Sequence, residues 1–234
     1  MRKMIDFHTH ILPGVDDGSK DILQTEAMLR EMCVQDVSTV VATPHFDMRL
    51  ESIESFLKRR ETAVSKISFE NPDFPKVIVG SEVFCCGIDF SKIENLRSLC
   101  IGETDYMLVE TYFNKLDEGF VKNMRSLLFE RNIIPILAHT ERYYFIGKNS
   151  SIIHKLSLDG MILQMNAEVF IKRSTRRRAF KLLKRETIGL LGSDCHDIQK
   201  RPPNLKMASD IIQKKTGSDI LTYIEKNSLK ILGL

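Results

Sequence analysis

The chain reads as an α/β protein with a parallel sheet, and two observations predict it. Short, nearly continuous apolar runs rich in Val, Ile and Leu alternate with longer amphipathic stretches, as expected of strands covered by helices on both faces. No dinucleotide-type glycine fingerprint follows any of these runs, and seven successive strand–helix units favour a barrel over an open sheet. With 234 residues and no linker, repeat or low-complexity segment, a single domain over 1–234 is expected.

The strands are predicted, in order, at 4–7 (MIDF), 39–43 (TVVAT), 76–80 (KVIVG), 106–110 (YMLVE), 133–138 (IIPILA), 161–166 (MILQMN) and 187–192 (TIGLLG). Helical periodicity lies between them, near 20–35, 51–69, 117–131, 148–158, 173–186 and 204–216.

Composition narrows the function. Lys and Arg number 34 against 31 Asp and Glu, a formal charge of +3, too mild to argue for a nucleic-acid partner. No apolar run reaches membrane-spanning length, and Asp6, His8 and His10 interrupt any signal-peptide core after the basic start. Five cysteines without C-x-x-C spacing, two of them the adjacent Cys85 and Cys86, argue against a disulfide framework or a zinc knuckle. A reducing, cytoplasmic setting is the expectation.

Chemistry gathers at the strand ends. His8 and His10 stand at i and i+2, so in extended backbone both imidazoles face one side. Asp17 follows them, His45 follows the second run, Glu82 the third and Glu110 the fourth. His139 and Arg142 follow the fifth, Gln164 and Asn166 end the sixth, and Asp194 and His196 follow the seventh. Because the carboxyl ends of barrel strands share one face, five of the six histidines and four carboxylates fall on one rim. Imidazole and carboxylate without thiolate suit manganese, iron or zinc in a catalytic setting. Nine candidate ligands exceed one ion's needs, whereas three ions sharing bridging groups would use them all. Paired ions about 3.5–4 Å apart can turn a bridging water into hydroxide and clamp the oxygens of an in-line phosphoryl displacement.

The motifs HxH, TPH, GxE, AHxER and SDxH, in this order over the whole length, resemble the polymerase-and-histidinol-phosphatase (PHP) superfamily. Within it, "HTHILPGVDDG", "AHTERY" and "GSDCHDIQKRPP" are similar to the bacterial capsule-type tyrosine phosphatases, the CpsB/YwqE group. The resemblance implies a distorted (β/α)7 TIM-like barrel and three divalent ions, often manganese. It implies hydrolysis of phosphotyrosine on the tyrosine-rich tail of a membrane-linked kinase that controls capsular or exopolysaccharide synthesis. The implied ligands are His8, His10, Asp17, His45, Glu82, Glu110, His139, Asp194 and His196, with Glu82 bridging. Arg142 and Arg201 match the arginines that hold the substrate phosphate. The segment "AEVFIKRSTRRR" after Asn166 matches no motif.

Alternatives stand beside each position. Asp17 and Asp16 are also suited to hydrogen-bonding the turn at Gly18, Glu110 to a place behind the ligands, and Arg142 to a surface ion pair. Tyr112, Tyr143 and Tyr144 are read either as pocket walls or as packing, and His154 as an ordinary surface or packing residue. Cys195 and Arg201 form a literal C-x5-R, the spacing of thiol-based phosphatases, but the loop lacks glycine and His196 is claimed by the metal motif. The basic stretch 172–185 reads as a solvated helix face, with attraction of acidic tails or anionic lipid as the second reading. A small-molecule phosphoesterase of the same superfamily, such as a histidinol-phosphate phosphatase, would share every ligand. A metal-bound module without catalysis is the remaining class.

Overall fold

Each of the seven apolar runs forms a strand in the computed structural model, which describes residues 4–68, 71, 73–113, 116–147, 149–185 and 188–234. They are β1 (Met4–Thr9), β2 (Val37–Ala42), β4 (Lys76–Val79), β6 (Tyr106–Glu110), β7 (Ile134–Leu137), β8 (Ile162–Asn166) and β9 (Ile188–Gly192). Two short strands, β3 (His45–Phe46) and β5 (Glu82–Phe84), were not expected. Each lies a few residues beyond a predicted strand, after an interruption at Thr43-Pro44 or Gly80-Ser81, so the second and third runs are each continued by a second piece.

All pairings are parallel. The strands form a three-stranded sheet, β1-β2-β4, and a six-stranded sheet, β3-β5-β6-β7-β8-β9. Backbone hydrogen bonds run between them where the end of β1 meets the residues after β9: Asp194 N donates to His8 O (2.8 Å) and His10 N to Cys195 O (2.9 Å).

The helices are α1 (Ile22–Val34), α2 (Ile53–Val64), α3 (Glu118–Phe129), α4 (Thr140–Ile146), α5 (Ser150–Leu158), α6 (Glu168–Ile171), α7 (Arg173–Arg185), α8 (Leu205–Thr216) and α9 (Asp219–Leu232). Side chains fix several starts: Asp21 accepts from Gln24 N (2.9 Å) before α1, Ser52 from Ser55 N (3.2 Å) before α2, and Asp117 from Phe120 N (2.8 Å) before α3. Among the helices, α4, α6 and α9 were not predicted. The first two are short, but α9 carries a legible stripe, burying Leu221, Ile224, Ser228 and Ile231. The predicted boundary positions 69, 148, 186 and 187 lie outside the described residues. No described helix is long and apolar enough to cross a membrane.

Two apolar layers follow from strand alternation. Ile5, Phe7, Val41, Leu108, Ile136 and Leu190, drawn from both sheets, pack together, while neighbours such as Val40, Val109, Leu137 and Leu191 join the helix-side cluster. The alternation of β1 is broken on purpose to serve the site. Asp6 pairs with Val40 but Thr9 with Ala42, so β1 carries one extra residue, a β-bulge. The extra residue shifts the phase after Phe7 and turns His8 and His10 inward, a recurrent use of bulges beside active sites. The buried Asp6 carboxylate steadies this point by accepting from Ser193 N (2.8 Å) and His8 N (3.4 Å).

Close approach of β9 to β1 depends on Gly192, where a Cβ would stand 2.5 Å from His8 Cβ and 2.9 Å from His8 N. Gly192→Ala is expected to destabilise the fold by about 1–3 kcal/mol, since the obstacle includes backbone. Thermal denaturation should show the loss as a Tm lowered by about 2–4 °C per kcal/mol.

Candidate metal centre

The strand ends and their loops bring all nine residues named above to one place. His8 and His10 arrive through the bulge, His45 and Glu82 through β3 and β5, paired in register with each other, and Glu110 at the end of β6. His139 and Asp194 both lie in the left-handed region, at φ 34° and 54°. Such backbone is uncommon outside glycine, though His and Asp tolerate it better than most, and it marks both turns as built to aim a side chain.

Glu82 occupies the middle and is buried. Its Oε2 lies 3.0 Å from His8 Nε2, 3.1 Å from His45 Nδ1 and 3.4 Å from His10 Nε2, and its Oε1 lies 2.9 Å from His139 Nε2. Three groups of donor atoms close enough to share an ion overlap there: His8, His10 and Glu82; His45, Glu82 and Glu110; and His10, Asp17, His45 and His196. His139 and Asp194 stand outside these three groups but border them. His139 Nε2 is 3.2 Å from Glu110 Oε2, and Asp194 Oδ1 is 3.3 Å from His10 Nε2. Asp17 is mostly solvent-exposed, with Oδ1 3.4 Å from His196 Nε2 and 3.6 Å from His45 Nε2.

The electrostatics are those of a cation site. Although burial opposes it, hydrogen bonds to Glu110 and Glu82 pull His45 up to about 10, and the same two carboxylates bring His139 to about 9. Burial would raise Glu82, yet the charge of His8 and hydrogen bonds from His10, His139 and His45 hold it well below the usual carboxylate range. The carboxylates thus draw positive charge from whatever is nearest, a demand that divalent ions meet directly. Among the described residues, Glu82 Oε2 and His196 Nε2 are buried beside these neighbours without a well-directed hydrogen bond to any of them. Lone pairs crowded by polar atoms but not engaged by a directed N–H fit metal ligation, and the residues present fit catalytic divalent ions.

Behind these donors lies a layer that the sequence reading largely missed. Asp16 Oδ2 accepts from His10 Nδ1 (2.7 Å) and from the backbone N of His45 (2.9 Å), while Oδ1 accepts from Gly18 N (3.0 Å). It therefore serves the turn, as anticipated, and also fixes two histidines, leaving His10 Nε2 to face the centre. Gln164 Oε1 accepts from His139 N (2.8 Å) and lies 3.3 Å from His8 Nδ1. Glu141 is buried and accepts from Asn166 N (3.2 Å). The only advance signal for these roles was a polar residue type at a strand end.

Arg142 and Arg201 reach the rim from different loops, and each places Nη2 2.8 Å from Asp194 Oδ2, which also accepts from Asn166 Nδ2 (2.7 Å). Arg142 does form an ion pair, with the site's own carboxylate rather than with Glu141. Tyr143 is fully buried, its hydroxyl accepting from Thr111 N (2.9 Å) and donating to Thr111 O (3.1 Å), so it packs rather than walls the pocket. Tyr112 is exposed and meets the Phe84 ring edge-on. His154 is exposed on α5, away from the cluster. Cys195 is buried and burial pushes its thiol well above the usual range, the opposite of an activated nucleophile, so its C-x5-R spacing is accidental.

A family model described as "Capsular polysaccharide synthesis, CpsB/CapC" matches residues 4–233. Tyrosine-protein phosphatase CpsB of Streptococcus pneumoniae is 30% identical over 92% of this chain and 92% of its own length. Tyrosine-protein phosphatase YwqE of Bacillus subtilis is 26% identical, with 98% and 91% covered. A solved structure from work on YwqE and CpsB, described there as unique metal-dependent tyrosine phosphatases, superposes with a TM-score of 0.81 at 23% identity, covering 98% of this chain and 94% of that one. At that identity the superposition speaks for the fold. A lactonase from Listeria monocytogenes shares it more distantly, with a TM-score of 0.58 at 13% identity. From the family match over nearly its whole length, together with the 30% identical relative, the chain belongs to the CpsB/CapC family of capsular polysaccharide synthesis.

Proposed function

We propose that this chain is a metal-dependent protein-tyrosine phosphatase acting on a kinase that regulates capsular or exopolysaccharide synthesis. The observation that carries the reading is Glu82, a buried carboxylate shared by two donor groups and bordered by a third, with two arginines beside it on Asp194. The names of its relatives support the substrate class. We further propose one domain whose two sheets are parts of a distorted (β/α)7 barrel, a reading supported by the hydrogen bonds joining the end of β1 to residues 194 and 195. Three ions, manganese with iron or zinc as alternatives, suit nine ligands: His8, His10, Asp17, His45, Glu82, Glu110, His139, Asp194 and His196. A cytoplasmic location near a membrane-linked kinase completes the reading.

When bound, such ions supply a water-derived nucleophile at neutral pH and neutralise charge on the phosphoryl oxygens. The chain's own residues do the rest. Asp16 and Gln164 orient His10, His8 and His139, so the donor set is arranged before substrate arrives. Arg142 and Arg201 exchange Asp194 Oδ2 for the outer oxygens of the phosphate, while Asn166 keeps its hydrogen bond to that carboxylate. A tyrosine phenolate, with a free pKa near 10, leaves with less protonation help than a serine alkoxide needs, which favours phosphotyrosine before any specific contact is made.

Arg142→Ala and Arg201→Ala should each lower kcat/KM by tens- to hundreds-fold, about 2–4 kcal/mol, with metal content retained. Steady-state kinetics on an aryl phosphate beside metal analysis of the same samples checks this, and unaltered kinetics would return the arginines to a structural role.

The reading as a whole is tested by kcat/KM on matched phosphotyrosine and phosphoserine peptides and on histidinol phosphate, with and without a strong chelator. Phosphotyrosine should lead and the chelator should abolish turnover. A preference for histidinol phosphate would place the chain on the small-molecule branch, and turnover unaffected by chelation would remove the metal from the mechanism.

A further inference from the structure

The segment after Asn166 that no motif absorbed becomes α6 and α7, and α7 is unusual in composition. Seven of its thirteen residues are Arg or Lys and none is acidic. Arg173–Arg177, Arg177–Lys181 and Lys181–Arg185 are like-charge i,i+4 pairs, each unfavourable to a helix by roughly 0.2–0.5 kcal/mol. Cations in its first turn also oppose the helix dipole.

Folding accounts for only part of this charge. Arg176 donates from Nε to Phe170 O (2.6 Å) and from Nη2 to Ile171 O (2.5 Å), tying α7 to α6. Arg178 lies over the Phe145 ring at 4.3 Å. Among the described residues, Arg173, Arg177, Lys214 and Lys215 have no carboxylate within ion-pair distance, and they converge from α7 and α8 on one groove of about 720 Å³. Arg176, Phe180 and Ile211, all half-buried, complete its lining, which contains no acidic residue.

We propose that this groove is a docking site for an anionic stretch of the substrate polypeptide flanking the phosphotyrosine. The inference rests on the phosphatase reading above and adds a determinant of which phosphotyrosines are taken. Two features favour an extended chain over a lipid surface. The cations line a recess between two helices, a shape that holds a strand of peptide, and the apolar residues of α7 are buried (Ala179, Leu182 and Leu183) or half-buried within the recess (Phe180) rather than presented for insertion. The recess is also tethered to the site. Asn166, hydrogen-bonded to Asp194, precedes Arg173 by seven residues, which limits the separation to about 25 Å even if fully extended. Roughly eight residues of extended peptide cover that distance. Aspartate, glutamate and additional phosphorylated residues all supply the required charge.

The test uses the full chain loaded with manganese and fluorescent peptides carrying one phosphonomethyl-phenylalanine, a phosphotyrosine analogue whose C–P bond is not hydrolysed. Their flanks, up to eight residues on either side, are neutral, Asp/Glu-rich or bear a second such analogue. Binding is read by anisotropy, and turnover of a small aryl phosphate is read separately. Anionic flanks should tighten binding about tenfold at low salt, with the gain shrinking as ionic strength rises. The triple variant R173E/R177E/K214E should lose this gain while hydrolysing the aryl phosphate normally. R177A/K214A, a milder change at exposed positions, should lose part of it. Equal affinity for neutral and anionic flanks, or a gain that survives in both variants, would overturn the proposal. So would loss of binding to phosphatidylserine vesicles in the variants with the peptide preference intact, which would assign the groove to a membrane. Absence of aryl phosphate turnover in the wild type would count against the phosphatase reading, while the binding comparison would still judge the groove.

Discussion

Taking the Glu82 carboxylate out of water costs several kcal/mol unless positive charge surrounds it, and the fold meets that cost with four imidazoles from three different strand ends. The bargain is mutual. His45 and His139 are drawn well above the usual imidazole range by the carboxylates they face, and Glu82 is held well below its own by them. Around it stand Glu110, Asp194 and Asp16, so protons on histidines are a sparse counter-charge for so many carboxylates. Divalent ions would supply it more densely, and the overlap of the candidate donor groups suits them.

Much of the scaffold exists to hold that arrangement. The bulge in β1 gives up one regular pair so that His8 and His10 turn inward, and Gly192 leaves room for β9 to press against His8. Left-handed backbone at His139 and Asp194 costs roughly 1–2 kcal/mol each and is sustained by neighbours on both sides. Gln164 grips the backbone of His139, and Arg142, Arg201 and Asn166 grip Asp194. Asp194 is thus both part of the cluster, through Oδ1, and the resting partner of the arginines, through Oδ2. On the proposed function, that division would connect the metal-ligand side of the site to its anion-binding side through one residue.

The parallel α/β plan and the gathering of polar residues at the strand ends were legible because both are local patterns. A buried strand shows as an apolar run, and the polar residue just past it shows as the residue the rim presents. Hence His45 stands out after TVVAT and Glu82 after KVIVG. What escaped depends on contacts distant in sequence. The role of Asp16 needs the backbone of His45, 29 residues away, and the link from Arg142 to Asp194 spans 52. The bulge is visible only in the register of β1 against β2. Helix α9 is a different kind of miss, since Leu221, Ile224, Ser228 and Ile231 carry the spacing openly. The breaks that separate β3 from β2 and β5 from β4 fall at Thr43-Pro44 and Gly80-Ser81, which periodicity treats as strand ends.

Because Glu82 ties the donor groups together, the most direct test is its charge. Elemental analysis of wild-type protein and of Glu82→Gln, which keeps the shape and removes the charge, should be made after identical loading with manganese and removal of free ions. The account predicts more than one tightly held ion per chain in the wild type and loss of most of that metal in the variant, with circular dichroism unchanged. A variant that keeps the full complement of metal would contradict it.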